Sequence, residues 1–233
     1  MRNTGFGKLA VSATGVKKGK HAASALALVA SLIAIPSQAV AHPHVFVEAN
    51  LEVVRDDAGL ITEVRHVWRF DEVFSSTVVL DFDENGDGVL DKRELDIVAS
   101  ETKQSLAEYN FFTEIRNAGD GVDVYEPETY IVDYVDGQIL MIMAMELVTP
   151  TAAGNEFKIS VSDPTYYVAV DLVGENAVHM SGNSTDCEHE IERPDFDALL
   201  ARDQQTLIDR FTQGEETFVA TEEYLTWVHF RCA

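Results

Sequence analysis

Basic residues are scarce in this chain: Lys and Arg number 17 against 40 Asp and Glu. Five of the 17 and none of the 40 fall in the first 41 residues, so the other 192 of the 233 carry 12 against 40, a net charge of −28. Such a surface disfavours nucleic acid and anionic lipid as partners. Cysteine is nearly missing, with only Cys187 and Cys232. A disulfide-dense scaffold is therefore excluded. A single bridge is the simple expectation in an oxidising compartment, and a metal site using Cys187-Glu188-His189 is the alternative. A bridge would close a segment of about 45 residues and add roughly 3 to 4 kcal/mol in the chain-entropy picture. Long apolar runs are missing too. The stretch Ala22 to Pro36 is about 15 residues, where a bilayer span needs roughly 20. Catalytic signatures are also lacking: no glycine-framed serine, no His-Glu-x-x-His and no phosphate loop. Ser75 and Ser76 lie near acidic residues but have no evident base, and Asp71 and Glu72 are adjacent rather than paired across a cleft. No enzyme activity is expected.

What is present begins with an export signal. Lys8, Lys17, Lys18 and Lys20 precede the apolar stretch, which ends in Ser37-Gln38-Ala39-Val40-Ala41, with small side chains at the −3 and −1 positions of a cut after Ala41. Residues 1–41 are expected to be removed, and no cysteine follows the cut to carry a lipid. The expected product is a periplasmic protein exported by the general route, with no membrane span after cleavage. Residues 42–233 are enough for a single domain.

The remaining chain is mostly strand-like, which argues for a folded domain despite the charge. Val45 to Val54 and Leu60 to Phe70 flank the turn Asp56-Asp57-Ala58-Gly59 and form a hairpin. Val64, His66, Trp68 and Phe70 share one face of the second strand. Asp71 can cap a short helix reaching about Leu80, and a second helix runs from about Glu94 to Glu108. Short strands are expected at Phe111 to Arg116 and Val122 to Tyr125. Asp136-Gly137 joins Glu128–Val135 to Gln138–Val148, a strong two-residue hairpin signal. Glu156–Val161 and Thr165–Leu172 follow, then Ala177–Met180 and Cys187–Glu192 as a candidate pair. A helix from Asp195 to about Phe211 ends near Gly214, and a last strand spans Tyr224 to Cys232. The fold class is α+β: an antiparallel sheet or β-sandwich, with an EF-hand-like helix–loop–helix inserted at 71–110 and a further helix near the C-terminus.

The acidic loop allows two registers. Starting at Asp81 puts Lys92 at position 12, where a bidentate carboxylate is required, and fails. Starting at Asp83 places Asp83, Asn85 and Asp87 at positions 1, 3 and 5, Gly88 at the sharp turn, the Val89 carbonyl at 7, Asp91 at 9 and Glu94 at 12. Calcium is a hard cation wanting about seven oxygens near 2.4 Å, and alternate side chains converge on it only if a glycine permits the turn. Leu90 is expected to point into an apolar core. There is no second loop of this kind: Asp56–Gly59 is too short and Asn117–Asp123 lacks the closing glutamate. An isolated site outside the cytoplasm is expected to be structural, with affinity around 10⁻⁴ to 10⁻³ M.

After the cut the chain would begin His42-Pro43-His44. Pro43 has no N–H and blocks a square-planar site built on deprotonated amides. A looser site remains, using the His42 amine and imidazole, His44, and one of His66, His179, His189 and His229; imidazole suits zinc, copper and nickel. The bland alternative is a solvent-exposed start, with His66 a core histidine beside Trp68. Met141, Met143 and Met145 share one strand face. Thioethers could hold Cu(I), but core packing is the preferred reading.

Together these segments resemble a known family. His-Pro-His-Val-Phe-Val at 42–47, Trp68-Arg-Phe-Asp-Glu-Val-Phe-Ser75, the acidic loop, Leu106-Ala-Glu-Tyr-Asn-Phe-Phe112, Asp163-Pro-Thr-Tyr-Tyr-Val168 and two well-separated cysteines are similar to the bacterial periplasmic family called domain of unknown function 1007. The resemblance covers nearly the whole chain after residue 41. It implies a periplasmic accessory protein, often described as part of an uncharacterised ABC-type transport system, that accompanies inner-membrane transporters for nickel, cobalt or zinc. The matching positions are His42, His44, the Asp83–Glu94 loop, Cys187 and Cys232; no catalytic residues carry over. The chain departs from the family in a short Cys187–Cys232 segment and an unusually acidic composition.

Overall fold

The computed structural model describes residues 43–154, 156–174, 176–183, 187–212 and 221–232. The export segment, His42 and the expected stop at Gly214 lie outside these residues.

Strands β1 (Val45–Arg55) and β2 (Leu60–Phe70) form the expected hairpin. β1 alternates buried and exposed residues along its length, so one face is committed to the core. The turn closes because Asp56 Oδ1 accepts from Leu60 N at 2.8 Å and Gly59 sits at φ +81°. After β2, Asp71 stops the sheet and starts helix α1 (Glu72–Phe82). Its Oδ1 accepts from Val73 N and Phe74 N, both at 2.9 Å, and its Oδ2 accepts from Phe46 N at 2.8 Å. One carboxylate thus caps a helix and ties it to β1. Helix α2 (Lys92–Ala107) begins at a capping box formed by Asp91 and Glu94.

The rest is strand: β3 (Thr113–Asn117), β4 (Asp120–Gly121), β5 (Thr129–Val135), β6 (Gln138–Ala152), β7 (Phe157–Val161), β8 (Val168–Leu172), β9 (Val178–Gly182) and β10 (Cys187–Glu192). Helix α3 (Phe196–Thr212) and β11 (Trp227–Cys232) complete the described chain. Asp136 (φ +53°) and Gly137 (φ +84°) make the tight β5–β6 turn that the Asp-Gly pair announces.

Two sheets result. The first runs β5-β6-β2-β1-β8, with β9 also on β1; the second runs β10-β11-β7-β3-β4. Val47, Leu51, Val64, Trp68 and Met143 of the first sheet and Ile115, Phe157, Ile159 and Phe230 of the second belong to one buried core. Met141, Met143 and Met145 are buried within it, as core packing requires. Trp68 stacks on Phe112 at 5.8 Å, bridging the layers.

Three expectations need correction. The fold is mostly, not wholly, antiparallel: β8 and β9 lie parallel to β1, against Val45–Ala49 and Leu51–Arg55. At 11 residues β1 is long enough to carry both short strands end to end. Ala177–Met180 therefore does not pair with Cys187–Glu192; β10 pairs with β11 instead. Alternation specifies which face a strand buries, not its neighbour. Finally, Phe111 and Phe112 are not strand: with Asn110 they are three successive residues at φ +50° to +54°, and β3 starts at Thr113. Left-handed backbone costs roughly 1–2 kcal/mol per residue. Burial of Phe111 and Phe112 in the core offsets it.

Candidate metal centre

The segment between α1 and α2 folds around its own carboxylates. Asp83 follows α1 and its N–H still bonds Val79 O at 2.9 Å. Its side chain then collects three loop N–H groups: Oδ1 accepts from Gly86 at 2.7 Å and Asp87 at 3.2 Å, and Oδ2 from Gly88 at 2.8 Å. The Gly88 N–H, followed by the others, holds the Asp83 carboxyl below the usual carboxylate range. Asn85 Oδ1 accepts from Asp87 N at 2.9 Å, and Asp87 Oδ1 from Val89 N at 3.0 Å. Gly88 stands at φ +84° with nothing within 4 Å of where a Cβ would lie, so glycine is needed there for backbone freedom and not for space.

The far end is anchored in the core. Leu90 is buried, as expected, while the Val89 side chain faces out. Asp91 Oδ1 caps α2 by accepting from Arg93 N at 2.8 Å and Glu94 N at 3.0 Å. Glu94 is 0% exposed. Its Oε2 accepts from Asp91 N and its Oε1 from Glu84 N, at 2.8 and 2.9 Å. A single buried carboxylate therefore clasps both ends of the loop. The donor set, all oxygen, suits a hard divalent cation. Among the described residues, however, no three His, Cys, Asp or Glu side chains converge on one point as a metal site. Asp87 and Asp91 each turn an oxygen toward backbone N–H groups instead.

The histidines are dispersed over several strands. His44 is exposed at the start of β1; its N–H bonds Tyr167 O at 2.9 Å and its ring lies 5.2 Å from that of Tyr167. His179 stands 3.7 Å from Glu52, His189 packs at 6.2 Å from Phe230, and His229 bonds Glu192 at 2.8 Å. His66 is the core histidine beside Trp68, ring centroids 5.9 Å apart. Burial pushes its pKa down to about 3, so the ring is neutral. Its Nε2 lies 3.2 Å from Thr113 Oγ1, which joins the two sheets. Among the described residues, His66 Nδ1 and Trp68 Nε1 find no hydrogen-bond partner.

The serines have structural work. Ser75 Oγ donates to Asp71 O and accepts from Ile139 N, and Ser76 Oγ donates to Glu72 O. Cys187 and Cys232 are joined and face each other in register on β10 and β11. Two of the segments that carry the family resemblance gained no chemical role from the sequence. Asp163 is 4% exposed and its carboxylate ties Thr165 and Val168 into the turn before β8. The segments 106–112 and 162–164 also meet, with Tyr109, Phe112, Ser162 and Pro164 lining a shallow cleft.

Comparison with known proteins agrees with the segments quoted above. A curated relative from Haemophilus influenzae, named only as an uncharacterized protein, is 25% identical over 164 residues, covering 69% of this chain and 77% of its own length. The model of the protein family of unknown function DUF1007 matches residues 27–232. A match over so much of the sequence means that the chain belongs to the DUF1007 family.

Proposed function

We propose that this is an exported accessory protein whose Asp83–Glu94 loop takes one calcium ion. The observation that carries the reading is Glu94. A fully buried carboxylate stands at the twelfth loop position and, by accepting from Glu84 N and Asp91 N, holds the two halves of an all-oxygen loop together. Calcium would be held by Asp83, Asn85, Asp87, the Val89 carbonyl, Asp91 and Glu94, with Asp87 and Asp91 turning an oxygen inward. The ion would neutralise four carboxylates on a short segment, which makes its role structural. The disulfide agrees with export to an oxidising compartment such as the periplasm.

Calorimetric titration of the protein with Ca²⁺ is expected to show one site in the 10⁻⁴ to 10⁻³ M range. At a hundredfold excess over Kd the ion should stabilise the fold by about 2.7 kcal/mol. Glu94→Gln should abolish both effects. No uptake at millimolar calcium would end the proposal, and the loop would then be a carboxylate-bonded turn that takes no ion.

A second reading adds transition-metal delivery to an inner-membrane transporter for nickel, cobalt or zinc, with copper a further candidate. Its support is His44, whose backbone and ring Tyr167 holds at the start of β1. Titrating the calcium-loaded protein with Ni²⁺, Co²⁺, Zn²⁺ and Cu²⁺, with and without a His42→Ala/His44→Ala pair, tests it. Binding that ignores the pair would remove this reading and leave a calcium-stabilised structural or interaction module.

A further inference from the structure

The end of β1 is built around a buried cation. Arg55 is 8% exposed. Its Nε donates to Gly59 O at 2.9 Å, and its Nη1 lies 2.7 Å from Cys187 Sγ. Glycines flank it on both the side-chain and the backbone side. A Cβ on Gly59 would meet Arg55 Nη2 at 2.8 Å, and one on Gly182 would meet Arg55 O at 1.9 Å. Cys187 opens β10, the edge strand of the second sheet, and both cysteines are partly exposed.

A guanidinium placed against one sulfur makes the bond chemically lopsided. Positive charge stabilises a thiolate over a thiol, and a thiol of lower pKa is the better leaving group in exchange. A guanidinium as a group keeps its charge across the pH range in which thiols exchange.

We propose that Cys187–Cys232 is a thiol-exchange site for a dithiol reductant, with Arg55 holding Cys187 as the leaving thiolate. One thiolate of the reductant attacks Cys232 Sγ. The Cys187–Cys232 bond breaks, its electron pair stays on Cys187, and that thiolate pairs with Arg55. The second reductant thiol, deprotonated by solvent, attacks its own sulfur in the mixed disulfide. This releases Cys232, which takes a proton from water. The reductant is oxidised to its disulfide and the protein gains two electrons.

The test uses the oxidised protein and reduced glutathione, with an acid quench and mass mapping of the mixed disulfide. Glutathione should be found on Cys232. Attachment to Cys187, equal attachment to both, or a bond that opens only on unfolding would overturn the proposal. A second measurement guards against damage from mutation at Arg55. In Cys232→Ser protein, alkylation of Cys187 by iodoacetamide should titrate at least about one pH unit below the ordinary thiol value near 8.5. Arg55→Gln in that background should raise the midpoint and slow alkylation at pH 7 about tenfold, while Arg55→Lys should restore most of the rate. A midpoint that is the same with and without Arg55 would equally overturn it.

Discussion

The acidic loop and the histidine core of the first sheet handle polar side chains in opposite ways. In the loop, backbone N–H groups of nearby residues gather on two carboxylates: three on the partly exposed Asp83 and two on the buried Glu94. In the core, His66 and Trp68 keep ring nitrogens without partners among the described residues, and apolar packing carries them. Hydrogen bonding organises the first region and burial the second. The loop should therefore respond to charge and ions, and the core to volume and acid.

Volume provides the largest expected effect. Trp68 is 1% exposed and stacked on Phe112. Trp68→Ala should cost about 3–5 kcal/mol in urea unfolding, with or without calcium. A cost below about 1 kcal/mol would mean that the two sheets do not share this core.

Acid should separate the two regions next. His66 is depressed to about 3 in the fold from an ordinary 6.5. Between those values the unfolded chain binds the proton and the folded chain does not. The His66 contribution is therefore whole above pH 6.5 and is lost as pH falls toward 3. Asp83 is also depressed, so its contribution is present above the ordinary carboxylate value and is lost only as pH falls through its lowered pKa. Calcium-free protein followed by circular dichroism should lose stability from about pH 6.5 downward, and His66→Phe should flatten that limb. An unchanged limb would place the acid response elsewhere.

Gly88→Ala should cost roughly 1–2 kcal/mol through backbone strain at φ +84°. It should weaken calcium binding more than it lowers stability in chelator. Equal losses in both conditions would show that the turn serves the fold alone. At the bottom of the scale is Arg93→Ala, which removes an exposed pair with Glu84. The chemical denaturation midpoint should hardly move, and less in high salt. A larger change would mean that this pair helps hold the loop.

Legibility followed range along the chain. The Asp71 helix cap, the Asp56–Gly59 turn and the Asp136-Gly137 turn could all be seen beforehand, because their partners lie within a few residues. The bland role of the methionine stripe was also foreseen, since period-two burial of Met141, Met143 and Met145 needs only a strand. The left-handed run Asn110–Phe112 was not foreseen. None of these residues is glycine, and the cost is met by a core that local sequence does not describe.

By itself, then, the sequence determined the segments whose bonding is local: helix caps, hairpin turns, the order of oxygen donors in the loop, and which face of each strand is apolar. Only the tertiary structure decided that β8 and β9 lie parallel on β1, that β10 pairs with β11, and that Arg55 meets Cys187, 132 positions away. The reason is physical. Neighbouring residues meet at little entropic cost, whereas distant ones meet only when burial across the whole fold outweighs closing the chain between them.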